Sequence, residues 1–101
     1  MTSIVRLKIQ TALGFTFVSS TPFVIEGSAD QFAVHRSVGT PANSPVAWAA
    51  THVETGFAFA HGRTSRETVK AAREVWGKTP ESVKERSLTR ARAILAEREE
   101  A

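Results

Sequence analysis

The stretch from Val46 to Trp76 constrains this chain more than any other. Val46, Trp48, Ala50 and His52 alternate with their neighbours, the period-two pattern of a strand. Glu54-Thr55-Gly56 reads as a turn whose glycine takes positive φ. Phe57 and Phe59 resume the alternation and, with Trp48, are expected to form a cross-strand aromatic cluster. Gly62 breaks that strand. Thr64-Ser65-Arg66-Glu67 then fits a capping box, in which the Thr64 hydroxyl takes the Glu67 amide and the Glu67 carboxylate reaches back to the Thr64 amide. Beyond it Val69, Ala72, Val75 and Trp76 share one helical arc. Gly77 fits the position just past a helix end.

The flanking segments suit a sheet before this unit and a helix after it. Ile4 to Gln10 alternates, with Val5, Leu7 and Ile9 on one side. Leu13-Gly14 reads as a turn and Phe15 to Val18 as a second strand. Ser19 to Pro22 is expected to interrupt it, because proline cannot donate to a ladder. Phe23 to Ile25 is an apolar run closed by Glu26-Gly27. Gln31 to Val38 is a further strand, with Phe32, Val34 and Arg36 on one face. Gly39 to Pro45 is a loop. Thr79-Pro80 starts a second helix with a cap and a proline at its first position. Its apolar arc is Val83, Ser87, Leu88, Ala91, Ile94 and Leu95, and the tail from Glu97 to Ala101 is expected to fray. Strands followed by helices predict an α+β fold: an antiparallel sheet of about four to six short strands, then two C-terminal helices, the first packed on the sheet. We expect one domain over 1–101, with 1–62 strand-rich, 63–77 the first helix and 78–101 the second.

Charge is segregated. Residues 1–62 carry Arg6, Lys8 and Arg36 against Glu26, Asp30 and Glu54, and residues 63–101 carry ten Lys/Arg against seven Glu. The net +3 therefore resides in the C-terminal part, which suits an acidic protein partner or a nucleic acid. The absence of cysteine removes thiolate metal sites, disulfides and cysteine nucleophiles. His35, His52 and His61 sit on or beside strands without metal-ligand spacing. Glu26, Asp30 and Glu54 sit by turns, and there is no phosphate-binding loop or nucleophile elbow. We expect no enzymatic activity, no cofactor and no metal. The alternating N-terminus suits neither a leader nor a membrane span, so a cytoplasmic location is expected.

The candidate partner-binding residues are Arg63, Arg66, Lys70 and Arg73, a basic edge at a helix N-terminus, together with Arg86 and Arg90 on the outward face of the second helix. Gly62 to Ala72 resembles the last strand-to-helix junction of double-stranded RNA-binding domains, where Arg66 and Lys70 match two phosphate-gripping positions and Glu67 stands in place of a second basic residue. The same junction resembles HicB-type antitoxins. The pairing of Trp48 to Gly56 with the Thr64 helix, in a short cysteine-free α+β chain, is similar to anti-CRISPR-type proteins. That resemblance implies a phage-encoded protein that sterically blocks a bacterial defence complex, such as a CRISPR effector, in the host cytoplasm. The leading expectation is a protein-binding inhibitor of that kind. The alternatives are a nucleic-acid-binding module and an antitoxin-like partner.

Overall fold

The computed structural model describes residues 5–11 and 14–100. Ile4, Leu13 and Ala101 lie outside them. Five strands, β1 (Val5–Thr11), β2 (Gly14–Phe23), β3 (Phe32–Arg36), β4 (Trp48–His52) and β5 (Phe57–Gly62), precede helices α1 (Ser65–Lys78) and α2 (Glu81–Glu100). The strands form one antiparallel meander in the order β1-β2-β3-β4-β5. The fold is α+β, with α1 packed on the sheet across β4 and β5.

β2 departs from the expected break at Ser19 to Pro22. It runs unbroken from Gly14 to Phe23, pairing β1 through Ser20 and β3 from Thr21 onward. The Ser20 hydroxyl donates to Val5 O at 2.8 Å and supports the polar stretch inside the ladder. The change of partner lets the β1–β2 hairpin pack over the face opposite α1. Leu7 and Ile9 there meet Ala33, with Val18 and Val53 against them. Gln10 N–H donates to Gly56 O at 3.0 Å, so the sheet curls until β1 reaches the β4–β5 turn. Gly56 has φ +73°, and a Cβ there would stand 3.1 Å from Lys8 O. The turn thus needs glycine both for its backbone conformation and for this approach.

Burial from Phe32 to His35 without alternation follows from this arrangement, because both faces of β3 are covered. On the α1 side Ala50, Ala60 and Ala72 bring helix and sheet close, and Phe23, Phe59 and Ala71 pack around them. Phe32 lies at the centre of an aromatic group. Its ring is 5.7 Å from Phe23, 5.6 Å from Phe59, 5.9 Å from His52 and 4.9 Å from Trp76. Trp48 is not part of this group, contrary to the pattern-based expectation; Trp76 of α1 fills the place over the sheet.

The helix ends also differ from expectation. Thr64 Oγ1 accepts from Glu67 N at 3.1 Å, but the Glu67 carboxylate accepts from Arg63 N rather than from the Thr64 amide. Gly77 is helical, and Thr79 caps α1 by donating its N–H and its hydroxyl to Val75 O. α2 is helical past Glu97. It continues to Glu100, where Arg98 Nη1 donates to Thr11 O at 2.9 Å and Glu99 accepts from Lys8 Nζ at 3.4 Å.

Two glycines provide opposed tests of the packing. A Cβ on Gly62 would lie 2.7 Å from the buried Thr68 hydroxyl and 3.0 Å from its amide. Gly62→Ala is expected to lower the unfolding free energy by about 1–3 kcal/mol. Gly77 has open space around it and no positive φ. Gly77→Ala is expected to raise the unfolding free energy by about 0.5–1 kcal/mol. Urea denaturation of both variants measures the two changes.

Candidate functional site

α1 lies mainly over β4 and β5, reaches β3 through Trp76, and leaves space along its β2-facing flank. The result is a groove of about 610 Å³ between helix and sheet. Phe23, Val34, Trp48 and Val69 supply its apolar surface, and Arg66, Lys70 and Arg73 of α1 supply its rim. The register explains why Trp48 is there. It pairs with Arg36 on one side and Gly62 on the other, at the end of the sheet from which the chain enters α1. Its indole is half-buried, and the Arg36 guanidinium lies 5.5 Å from the ring centroid. Arg36 was not among the residues picked from sequence. The available signal was its cross-strand register with Trp48, which needs the β3–β4 pairing to be known.

The four cations of the α1 flank are not equivalent. Arg66 and Lys70 are exposed, one turn apart, and make no hydrogen bond or ion pair among the described residues. Arg73 donates from Nε and Nη2 to Val24 O at 3.2 and 3.1 Å, so it ties α1 to the segment after β2. Arg63 is exposed beside the helix start, where its own amide is taken by Glu67. A carboxylate therefore already occupies the N-terminal turn. Attraction for an anion at this groove rests on the Arg66 and Lys70 side chains more than on free helix amides. Glu74 is the acidic member of the rim. Arg86 and Arg90 line a separate shallow depression on α2, beside Ser82, Glu85 and Thr89. The two linings share no residue, so the six residues singled out from sequence fall into two groups.

Two histidines are buried with threonine partners that the sequence pattern did not connect. His35 Nδ1 donates to Arg36 O at 2.9 Å, which leaves Nε2 to accept from the Thr51 hydroxyl at 2.7 Å. His52 Nδ1 lies 3.1 Å from Thr55 Oγ1, and His52 Nε2 lies 3.4 Å from Asp30 Oδ2. Acid, imidazole and hydroxyl are the residue types of a nucleophilic triad. Here Thr55 is 1% exposed and its oxygen also accepts from Phe57 N at 3.4 Å. The group is a clasp that holds the β4–β5 turn. Among the described residues no three His, Asp or Glu side chains lie close enough to hold a metal ion, and no helix is long and apolar enough to cross a membrane.

Burial holds the His35 pKa below its ordinary value of 6.5, with the Arg36 carbonyl opposing and His61 assisting. The unfolded chain then binds a proton that the folded chain resists. The His35 contribution to stability is present above about pH 6.5 and is lost as pH falls below it. Melting temperature is expected to drop as pH is lowered from about 7 to about 5, and His35→Gln is expected to flatten that dependence. Calorimetric scans across this range measure both. No family model, curated protein or solved structure matches this chain.

Proposed function

We propose that this chain is a non-enzymatic binding protein that occupies a partner's surface through the groove between α1 and the β2–β4 side of the sheet. In the form its sequence resemblance suggests, it is a phage-encoded inhibitor of the anti-CRISPR type, acting on a bacterial defence complex by steric occlusion. The observation that carries the reading is the conjunction of unpaired Arg66 and Lys70 with a half-buried Trp48 on an open apolar floor. Partly exposed tryptophan and arginine are the residue types that concentrate binding energy at protein interfaces. Positive charge at the rim steers an acidic surface and sets its orientation.

A nucleic acid is the second reading. It is favoured by one observation: the indole of Trp48, with Arg36 on its ring, shares a groove with Arg66 and Lys70, an aromatic and basic lining that an unpaired base and its phosphate could use.

The two readings separate in one set of measurements. Affinity capture from a bacterial lysate, with mass spectrometry, is expected to recover a protein partner. Trp48→Ala is expected to weaken that complex by about thirtyfold, the effect of an interface anchor worth about 2 kcal/mol. Arg66→Glu with Lys70→Glu is expected to slow association and to remove its salt dependence. If the purified chain instead shifts RNA or DNA at low salt, the binding constant should fall steeply with added salt, by a logarithmic slope of about −0.9 per phosphate contacted. Recovery of a partner whose affinity is the same for wild type and for all three substitutions would remove this groove from the interface.

A further inference from the structure

α2 is attached differently from α1. None of its described side chains is fully buried. Its firm ties are polar and peripheral. Arg92 pairs with Glu54 at 2.7 Å, Arg98 reaches Thr11 O, Glu99 reaches Lys8, and Lys84 Nζ lies 5.0 Å from the Trp76 ring centroid. Between these ties the helix stands off from the protein. Its apolar stripe of Val83, Leu88, Ala91 and Ile94 faces Phe57, Phe59, Val75 and Trp76 across a groove of about 510 Å³. Val75 is 44% exposed there although it belongs to the apolar arc of α1.

That volume is within the range of small-molecule sites, and the lining is apolar with few polar groups. The formally charged side chains of the lining, Lys84 and Arg90, are both cationic. His52 and Thr55 are the buried members. The His52 ring stacks on Trp76 at 6.0 Å and 14°, and its Nε2 is turned to Asp30 Oδ2 at 3.4 Å, away from any role in the groove. Lys84 and Arg90 are the charged members, and no carboxylate lines the groove although the chain has ten acidic residues. Lys84 is engaged by Glu81 at 3.1 Å. Arg90 makes no hydrogen bond or ion pair among the described residues and lines both this groove and the outer depression on α2, which puts it at the lip.

We propose that this groove binds a small apolar carboxylate, such as a medium-chain or aromatic acid. Its hydrocarbon body lies on Phe57, Phe59 and Trp76 under α2, and its carboxylate meets the Arg90 guanidinium. A guanidinium gives a carboxylate two parallel hydrogen bonds, and the aromatic wall gives the body its burial. The site shares no residue with the α1 groove and stands independently of the function proposed for it.

The test is an NMR titration of the full, ¹⁵N-labelled chain with octanoate, octanol and octylammonium. Octanoate is expected to shift the Trp76 indole N–H saturably and to leave that of Trp48 in place. Octylammonium is expected to bind at least about tenfold more weakly, the factor that corresponds to about 1.4 kcal/mol. Arg90→Gln should weaken octanoate by about fivefold or more without changing octanol, as loss of a charge-assisted contact requires. Ala91→Trp should fill the groove and abolish all three. If that variant loses its helical circular dichroism, Arg90→Gln read against octanol decides alone. No Trp76 shift with octanoate, equal binding of octanoate and octylammonium, or octanoate binding unchanged in Arg90→Gln would each overturn the proposal.

Discussion

Phe32 against Trp76 is the contact on which the rest of the molecule depends. It joins the central strand of the sheet to the one helix that packs on it, with ring centroids 4.9 Å apart in an edge-to-face arrangement. Aromatic pairs of this geometry add about 0.5–1.5 kcal/mol to the burial of their area. Phe23, Phe59 and His52 close around the pair, so residues from β2, β3, β4, β5 and α1 meet at one point. Alanines at 50, 60 and 72 let the backbones approach closely enough for the large rings to interlock. This gives a small sheet a well-defined helix orientation, and that orientation places Arg66 and Lys70 on the same groove as Trp48.

The opposite face is closed by a different device. β2 changes partner midway, and the β1–β2 hairpin folds onto Ala33, whose small side chain leaves room for Leu7 and Ile9. The central strands β3 and β4 are buried on both faces in this way, with α1 on one side and the hairpin on the other. α2 is then not needed to cover core. It is left as a helix tied at its margins by exposed ion pairs, which solvent screens. The two grooves are consequences of these two facts: one lies where α1 ends on the sheet, the other where α2 stands away from it.

The local parts of this structure were legible in the sequence and the long-range parts were not. The β4–β5 hairpin, the Gly56 turn, the Thr64 cap and both helices follow from turn chemistry and periodicity within a few residues. Continuation of β2 through Ser19 to Pro22 did not, because its polar residues are supported by the register with Val5 and Ala33. Trp48 and Trp76 sit in equally apolar local patterns and both are half-buried; only the position of α1 on the sheet decides which joins the Phe32 group. Glu99 and Arg98 read as a charged tail until Lys8 and Thr11, some ninety residues earlier, are brought beside them. At the site, Arg66 and Lys70 were visible as a helical flank, while Arg73 was indistinguishable from them until its bonds to Val24 were seen.

The central claim is that the sheet and α1 form one cooperative unit and that α2 is a separately held arm. Native-state hydrogen exchange tests it most directly. Amides of α1 and of β3 to β5 are expected to exchange only with global unfolding. Amides in the middle of α2 should open at a free energy lower by about 2 kcal/mol or more. Equal protection of α1 and α2, with both following global unfolding, would contradict it.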